Sequence, residues 1–219
     1  MAAAQGKTNW FAIGISAAVV VVLVALGGVV VWMNNQANDP GAAPTGAIIN
    51  DETGAITFGE GDDVVSTYID FMCPACNAFE QAYGEQLQSA AANDDITLEL
   101  HPVAILDHLS QGTNYSSRSA GAMYCVAENA PDKALDFLNA LFANQPQEGG
   151  SGLTDEQLTQ IATDAGADDA TSCIADGTYS KFGAAQASTH DIKGTPTIEI
   201  NGKRLEVSEI NTELPKVLP

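Results

Sequence analysis

Positive charge is scarce in this chain of 219 residues, which has 8 lysines and arginines against 28 aspartates and glutamates. All 28 acids and seven of the bases lie after residue 33, so that part carries a net charge of −21. Such a surface repels nucleic acid and anionic lipid, which argues against nucleic acid as a partner. We expect a solvated acidic coat that aids solubility, with recognition of an acid-specific partner as the alternative.

Charged side chains are absent from residues 10–33, which form a mostly apolar run. At about 1.5 Å per residue, a helix of this length crosses a hydrocarbon core of about 30 Å. Trp10 and Trp32 lie near its two ends, where interfacial tryptophans are expected. A cleaved signal peptide has a shorter apolar core of roughly 7–15 residues, so we predict an uncleaved transmembrane anchor. Lys7 favours a cytoplasmic location for residues 1–9 and an extracytoplasmic location for everything after the anchor.

Histidine and cysteine are also few, with three histidines and four cysteines. His101, His108 and His190 lack the spacing of metal ligands, and a zinc site would need four ligands from scattered positions. We therefore predict no metal site. An even number of cysteines in an exported chain is typical of two disulfides in an oxidising compartment.

After the anchor, residues 34–47 combine glycine, proline and small polar residues, which predicts a flexible linker. The folded domain is then expected over residues 48–219. It opens with a β-strand–α-helix–β-strand unit, because β-branched residues dominate 64–71, helical spacing covers 77–92 and alternation follows at 96–101.

The sequence pattern of the second half of the domain changes twice, from strand to helix and back to strand. Residues 111–191 carry helical periodicity with little strand signal, and Thr154 to Gln157 form a capping box within them. Strand patterns return at 197–200, where Asn201-Gly202 predicts a tight hairpin turn. The sequence therefore predicts a helical insertion between two groups of strands.

The cysteines of the motif Cys73-Pro74-Ala75-Cys76 lie where the first long strand ends and the helix begins. The unpaired N–H groups and the dipole of a helix start stabilise negative charge, so a thiolate is favoured there. Pro74 suits the first turn because it has no N–H to leave unpaired. The spacing lets Cys76 reach Cys73 within one turn. We interpret the pair as redox-active; a structural disulfide or half of a metal site is the alternative.

Two motifs flank the helical insertion and carry a family resemblance over residues 48–218. The first is Cys73-Pro74-Ala75-Cys76 followed by Phe79-Glu80, and the second is Gly194-Thr195-Pro196-Thr197 at the start of a strand. In this order, the chain resembles the DsbA-like thiol–disulfide oxidoreductases of the thioredoxin superfamily. It is similar above all to the membrane-anchored enzymes of actinobacteria, the MdbA type. The resemblance implies an α/β thioredoxin-like fold with an inserted helical domain, here preceded by one N-terminal transmembrane helix.

The resemblance also assigns roles to single residues. Cys73 would be the attacking and leaving sulfur, and Cys76 the resolving one. Pro196 would be a cis-proline that faces the disulfide, and the backbone at Thr195 would pair with an extended substrate segment. Many relatives have histidine where this chain has Ala75, which removes one cation–thiolate interaction and leaves the redox potential open.

Four further residues receive expectations. Glu80 matches an acidic residue that influences proton transfer near the cysteines, with a solvated helix residue as the alternative. Asp70, at the end of the strand, is a second candidate proton carrier. By resemblance, Cys125 and Cys173 form a structural disulfide that joins two helices of the insertion; a second redox pair or two free thiols is the alternative.

The expected function is that of an extracytoplasmic enzyme that donates the Cys73–Cys76 disulfide to unfolded secreted or cell-surface proteins. No cofactor beyond that disulfide is expected, and the enzyme is expected to be a monomer. A quinone-coupled membrane protein of the DsbB or vitamin K epoxide reductase type would reoxidise it. The alternatives are a disulfide isomerase or reductase of the same fold, or a tethered redox sensor or binding module without turnover.

Overall fold

The computed structural model describes residues 10–37 and 39–219. The chain divides into two compact units, with the division between Asp39 and Pro40. In the first unit, Trp10–Ala37 forms helix α1. Within the described part of the chain, no helix is found to be both long and apolar enough to cross a membrane. The predicted anchor at 10–33 stays a prediction, and the segment predicted to be cytoplasmic lies outside the described residues.

The linker predicted over residues 34–47 differs from the structure at both ends. Helix α1 continues to Ala37 and ends shortly before Pro40, a residue that disfavours helix in the residue preceding it. At the other end, Thr45 donates from its N–H and its hydroxyl to Glu128 Oε1, at 3.0 and 3.1 Å. The carboxylate of Glu128 thus binds the end of the predicted linker to the domain.

The domain is built on one five-stranded sheet in the order β1-β3-β2-β4-β5. Strands β2 and β3 are parallel, whereas β1, β4 and β5 run antiparallel to their neighbours. The predicted strand–helix–strand unit supplies the parallel pair, and β2 is central because its apolar residues are covered on both sides. The strands are β1 (Ile56–Phe58), β2 (Asp63–Ile69), β3 (Ile96–Pro102), β4 (Thr197–Ile200) and β5 (Lys203–Arg204).

The helical segment after β2 begins earlier than predicted and has three parts. Helix α2 spans Pro74–Phe79, a π-helical turn spans Glu80–Gly84, and helix α3 spans Glu85–Ala92. Proline at the first helical position fixes a backbone angle that already suits a helix, which explains the start at Pro74 rather than at residue 77. Cys73 caps this segment with an extended backbone, φ −78° and ψ 117°.

Five α-helices lie between β3 and β4, and the ninth α-helix of the described residues follows β5. The predicted capping box is present, with Thr154 and Gln157 bonded to each other's backbone N–H. The five are α4 (Tyr115–Asn129), α5 (Ala134–Ala143), α6 (Asp155–Asp164), α7 (Thr171–Ala175) and α8 (Ser180–Thr189), and the ninth is α9 (Val207–Glu213).

Two main hydrophobic clusters stabilise the domain. The smaller one joins the sheet to α3 and α9 through residues such as Val65, Leu87 and Ile210. The larger one fills the helical insertion and extends to the residues around the cysteine pair, including Phe71. Helix α4 is buried along almost its whole length. Its Gly121 permits close approach of α8, since a Cβ there would lie 2.7 Å from the backbone of that helix's first residue.

Candidate active site

Cys73 and Cys76 are free thiols at the start of α2. The turn that carries them is closed by three backbone bonds: Cys73 N–H donates to Asp70 O at 3.0 Å, and Cys73 O accepts from the N–H groups of Cys76 and Asn77 at 3.1 and 3.2 Å. Cys73 is 7% exposed and Cys76 is fully buried. Only one of the two sulfurs can therefore meet an attacking group from solvent.

The pKa of the Cys73 thiol is lowered to about 6. A hydrogen bond from the Cys76 thiol is the main cause, followed by the Thr195 hydroxyl and the N–H groups of Cys76 and Ala75, while partial burial acts in the opposite direction. A thiol at this pKa is mostly thiolate at neutral pH, which is the nucleophilic and good-leaving form.

Thr195 presents two different groups to Cys73. Its carbonyl accepts a hydrogen bond from the protonated Cys73 thiol at 3.3 Å. Its hydroxyl oxygen is buried and has no hydrogen-bond partner among the described residues, and its position beside Cys73 lowers the pKa of that thiol. The peptide bond from Thr195 to Pro196 is cis. The structure thus brings both motifs together, although 122 residues separate Cys73 from Thr195.

Burial raises the pKa of Cys76 well above its usual value, and the hydrogen bond and negative charge of Cys73 act in the same direction. The Asp70 N–H faces the Cys76 sulfur at 3.5 Å. Cys76 therefore holds its proton when Cys73 is ionised. Cys73 is therefore the thiolate of the pair, and Cys76 is the thiol that donates a hydrogen bond to it.

Asp70 is fully buried directly behind this turn. One carboxylate oxygen accepts from Met72 N–H at 2.9 Å and Ser116 Oγ at 2.7 Å. The other accepts from Ile105 and Leu106 N–H at 2.9 and 3.0 Å. Burial raises the pKa of Asp70, and the four hydrogen bonds oppose the rise. The carboxylate connects the cysteine turn with the segment after β3 and with α4.

Glu80 lies one helical turn after Cys76, in the π-helical turn. Burial raises the pKa of its carboxyl group to about 7. The buried Gly84 makes room for it, because a Cβ at that position would lie 2.7 Å from Glu80 Oε2. A carboxyl group with this pKa can both accept and release a proton near neutral pH.

Sequence reasoning missed two residues that support the turn. Gln145, in the loop after α5, donates from Nε2 to Phe71 O at 3.1 Å and to Cys73 O at 2.9 Å. Asn77, in α2, donates from Nδ2 to Gln145 Oε1 at 3.0 Å. No local pattern marks Gln145, since 72 residues separate it from Cys73. Only the placement of the helical insertion brings it to the cysteines.

The other candidate residues lie apart from the cysteine turn or on its outer face. Cys125 and Cys173 form a disulfide that joins α4 to α7, with a Cα–Cα distance of 5.6 Å. Pro74 and Ala75 are exposed on the turn itself. His101 stacks on Tyr68, with ring centroids 4.3 Å apart. Among the described residues, no group of three or more His, Cys, Asp or Glu side chains converges to bind a metal.

Comparison with known proteins places the chain in a family. The sequence family Thioredoxin_4, described as thioredoxin, matches residues 54–218. The chain belongs to the thioredoxin family. Among curated proteins, the serine/threonine-protein kinase PknE of Mycobacterium tuberculosis is 37% identical over 135 residues, which are 58% of this chain and 24% of PknE. The chain spans about a quarter of the length of the curated relatives that it matches.

Solved structures of thiol–disulfide oxidoreductases share this thioredoxin fold. Reduced DsbA from Mycobacterium tuberculosis is 30% identical, with a TM-score of 0.67 and coverage of 74% of this chain and 90% of that one. Reduced DsbG from the same organism is 31% identical, with a TM-score of 0.67 and coverage of 74% and 85%. MdbA from Corynebacterium diphtheriae, at 21% identity and a TM-score of 0.66 over 81% and 94%, shows the fold. The chain is a member of the DsbA-like family of thiol–disulfide oxidoreductases.

Proposed function

We propose that this enzyme is an oxidase that donates the Cys73–Cys76 disulfide to unfolded proteins outside the cytoplasm. The asymmetry of the two sulfurs carries the proposal, because Cys73 has a pKa of about 6 whereas burial holds the pKa of Cys76 high. A stabilised Cys73 thiolate favours the reduced form, and a stable reduced form makes the disulfide oxidising.

The reaction consists of two thiol–disulfide exchanges. A substrate thiolate attacks the Cys73 sulfur, the Cys73–Cys76 bond breaks, and Cys76 leaves with the bonding electron pair and takes up a proton. A second substrate thiolate then attacks the substrate sulfur of the mixed disulfide. Cys73 leaves as a thiolate, and the substrate, now carrying a disulfide, has transferred two electrons to the enzyme.

Glu80 is the proposed proton donor and acceptor for Cys76 in these steps. Its pKa of about 7 and its position one turn after Cys76 support this role. Asp70 has a smaller part in the proposal, since both of its oxygens already accept two hydrogen bonds each. The backbone at Thr195, beside Pro196, is the proposed docking edge for an extended substrate segment.

The partners follow from the resemblance and from the predicted anchor. An oxidase that turns over must return its two electrons to an acceptor, and we propose a quinone-coupled membrane protein of the DsbB or vitamin K epoxide reductase type. A single-pass anchor at residues 10–33 would keep the two proteins close, with the enzyme acting as a monomer. The disulfide would be its only redox group.

The proposal is tested by mixing the oxidised enzyme with reduced, unfolded ribonuclease and counting the disulfides transferred. We expect one disulfide per enzyme, and none from the Cys73→Ser variant, with the Cys125–Cys173 bond unchanged in both by peptide mass mapping. Transfer by the variant would contradict the mechanism. No transfer by the wild-type protein would favour a redox sensor or binding module, and faster rescue of scrambled than of reduced ribonuclease would favour an isomerase.

A further inference from the structure

The loop after α5 sends one side chain into the cysteine turn. Gln145 is half-buried and precedes Pro146, which favours an extended backbone at this position. From there its amide nitrogen donates to the carbonyls of Phe71 and Cys73 at 3.1 and 2.9 Å. One side chain therefore bridges the two ends of the segment that presents the reactive sulfur.

The orientation of this amide is fixed by its partners. Phe71 O and Cys73 O are carbonyl oxygens that can only accept, so the nitrogen of Gln145 must face them. The Gln145 oxygen must then face Asn77, whose Nδ2 also donates to the carbonyl of Phe142 at 3.3 Å. Every contact in this small network pairs a donor with an acceptor. The network joins the loop after α5, through Gln145, to α2, through Asn77, and to α5 itself, through Phe142.

The Cys73 carbonyl is the point where the network meets the chemistry. It accepts from the backbone N–H groups of Cys76 and Asn77 as well as from Gln145. The positive ends of the Gln145 N–H groups point at the carbonyl oxygens of the cysteine turn. There they offset the carbonyl dipoles beside the Cys73 thiolate. Rotation of the Cys73 carbonyl would move the sulfur relative to Thr195 and weaken the contacts that stabilise negative charge.

We propose that Gln145 is a positioning residue, through which the helical insertion holds the Cys73 carbonyl and thereby sets the reactivity of the Cys73 sulfur. The role rests on the oxidoreductase activity and does not depend on the direction in which the enzyme works in the cell. Through Gln145, the helical insertion contributes to the chemistry as well as to the packing of the domain.

The test replaces Gln145 in the full chain and follows the Cys73 thiolate and the equilibrium with glutathione. Gln145→Glu has the same shape but puts a carboxylate against two carbonyl oxygens and beside the thiolate. The control is Gln147→Glu, which adds the same charge two residues later at an exposed position of the same loop. Ultraviolet absorbance of the thiolate gives the titration of Cys73, and quenched glutathione mixtures give the equilibrium constant.

We expect Gln145→Glu to raise the titration midpoint of Cys73 by about one pH unit. Its equilibrium constant for oxidation of glutathione should fall about tenfold near pH 7.5, which corresponds to about 30 mV for a two-electron couple. The difference should shrink below about pH 6, because the protonated carboxyl group can donate to one of the two carbonyls. A purely structural loss would not follow pH in this way, and Gln147→Glu should match the wild type in both measurements.

A second variant keeps the test decisive if Gln145→Glu does not fold. Gln145→Met removes the donors without adding charge, and it should shift the equilibrium constant in the same direction and slow exchange with glutathione. The proposal is overturned if Gln145→Met behaves like the wild type, or if Gln147→Glu shifts the titration as much as Gln145→Glu. A wild-type protein that does not exchange with glutathione would overturn the oxidoreductase mechanism itself.

Discussion

Cys73 and Cys76 differ in chemistry because their surroundings differ, although only two residues separate them. The Cys76 thiol, the Thr195 hydroxyl and the N–H groups at the helix start lower the pKa of Cys73, whereas Cys76 is enclosed and its pKa is raised. The proposed direction of the reaction depends on this difference. At the same scale, Glu80 is a carboxyl group that burial keeps partly protonated at neutral pH.

Glu80→Gln should stabilise the protein at neutral and higher pH. The pKa of Glu80 is raised to about 7 in the folded state, so its contribution to stability is fully present below the unfolded pKa and is lost as pH rises through about 7. The variant escapes this loss, and at about 1.4 kcal/mol per pKa unit the gain should reach up to about 3 kcal/mol above pH 8. Urea unfolding from pH 4 to pH 8 measures it.

The exposed Glu85 in α3 provides the control, and Glu85→Gln should leave the pH profile of unfolding unchanged. If Glu80→Gln stabilises the protein equally at pH 4 and pH 8, the carboxyl group does not titrate near neutrality. The proposed role of Glu80 as a proton carrier would then lose its support.

The residues of this site differ in how far sequence could predict them. The cysteine pair is recognisable because a strand pattern, a two-residue spacing and a helix start all lie within one short segment. Gln145 is not recognisable, because its function comes from a contact across 72 residues. Asp70 was predicted as a proton carrier, and the structure adds four hydrogen bonds that no local pattern could reveal.

At the scale of elements, Asp70 joins three parts of the chain through a single carboxylate. It follows β2, accepts from Ile105 and Leu106 in the segment after β3, and accepts from Ser116 in α4. Because all these groups are buried or half-buried, water does not replace a bond that is lost. The position of the cysteine turn relative to the helical insertion depends on this carboxylate as well as on Gln145.

Asp70→Asn should therefore destabilise the domain by about 2–4 kcal/mol. The amide nitrogen would replace one oxygen and face a backbone N–H at either of the two positions, since each oxygen of Asp70 accepts from at least one N–H. Urea unfolding at pH 7 measures the loss. The milder variant Ser116→Ala removes a single donor and should cost about 1 kcal/mol. An Asp70→Asn protein as stable as the wild type would show that the carboxylate does not hold these elements together.

The order of elements could be predicted, whereas their junctions could not. Periodicity and capping residues predicted the strand–helix–strand unit and the capped helix at Thr154, because both depend on neighbouring residues. The helix start at Pro74 has a local cause in the fixed backbone angle of proline, whereas no local pattern marks the π-helical turn at Glu80–Gly84. The binding of Thr45 to Glu128 requires a partner 83 residues away.

At the scale of the whole molecule, the reduced protein should be more stable than the oxidised protein. The Cys73 thiolate has a folded pKa of about 6, which is below its unfolded value of about 8.5. At Cys73 the unfolded reduced chain binds more protons than the folded one between these two pH values, so this residue's contribution to the stability of the reduced form rises with pH across the window. The gain is lost as pH falls through about 6, and the oxidised form has no such dependence.

Urea unfolding of both redox forms at pH 5 and pH 7.5 tests this expectation. The midpoint of the reduced form should exceed that of the oxidised form at pH 7.5, and the gap should narrow at pH 5. Cys73→Ser has no thiolate at this position, so relative to the reduced wild type it should lose more stability at pH 7.5 than at pH 5. If the difference between the two midpoints does not depend on pH, the contacts that stabilise the reduced form do not involve the Cys73 thiolate.

The reduction potential of Cys73–Cys76, measured in glutathione buffers at pH 7, tests the proposed oxidase most directly. The low pKa of Cys73 predicts a value near about −120 mV, as in strongly oxidising enzymes, and hence donation of the disulfide to substrate thiols. A value near about −270 mV, as in thioredoxin, would contradict the account and make the protein a reductase that needs a source of electrons.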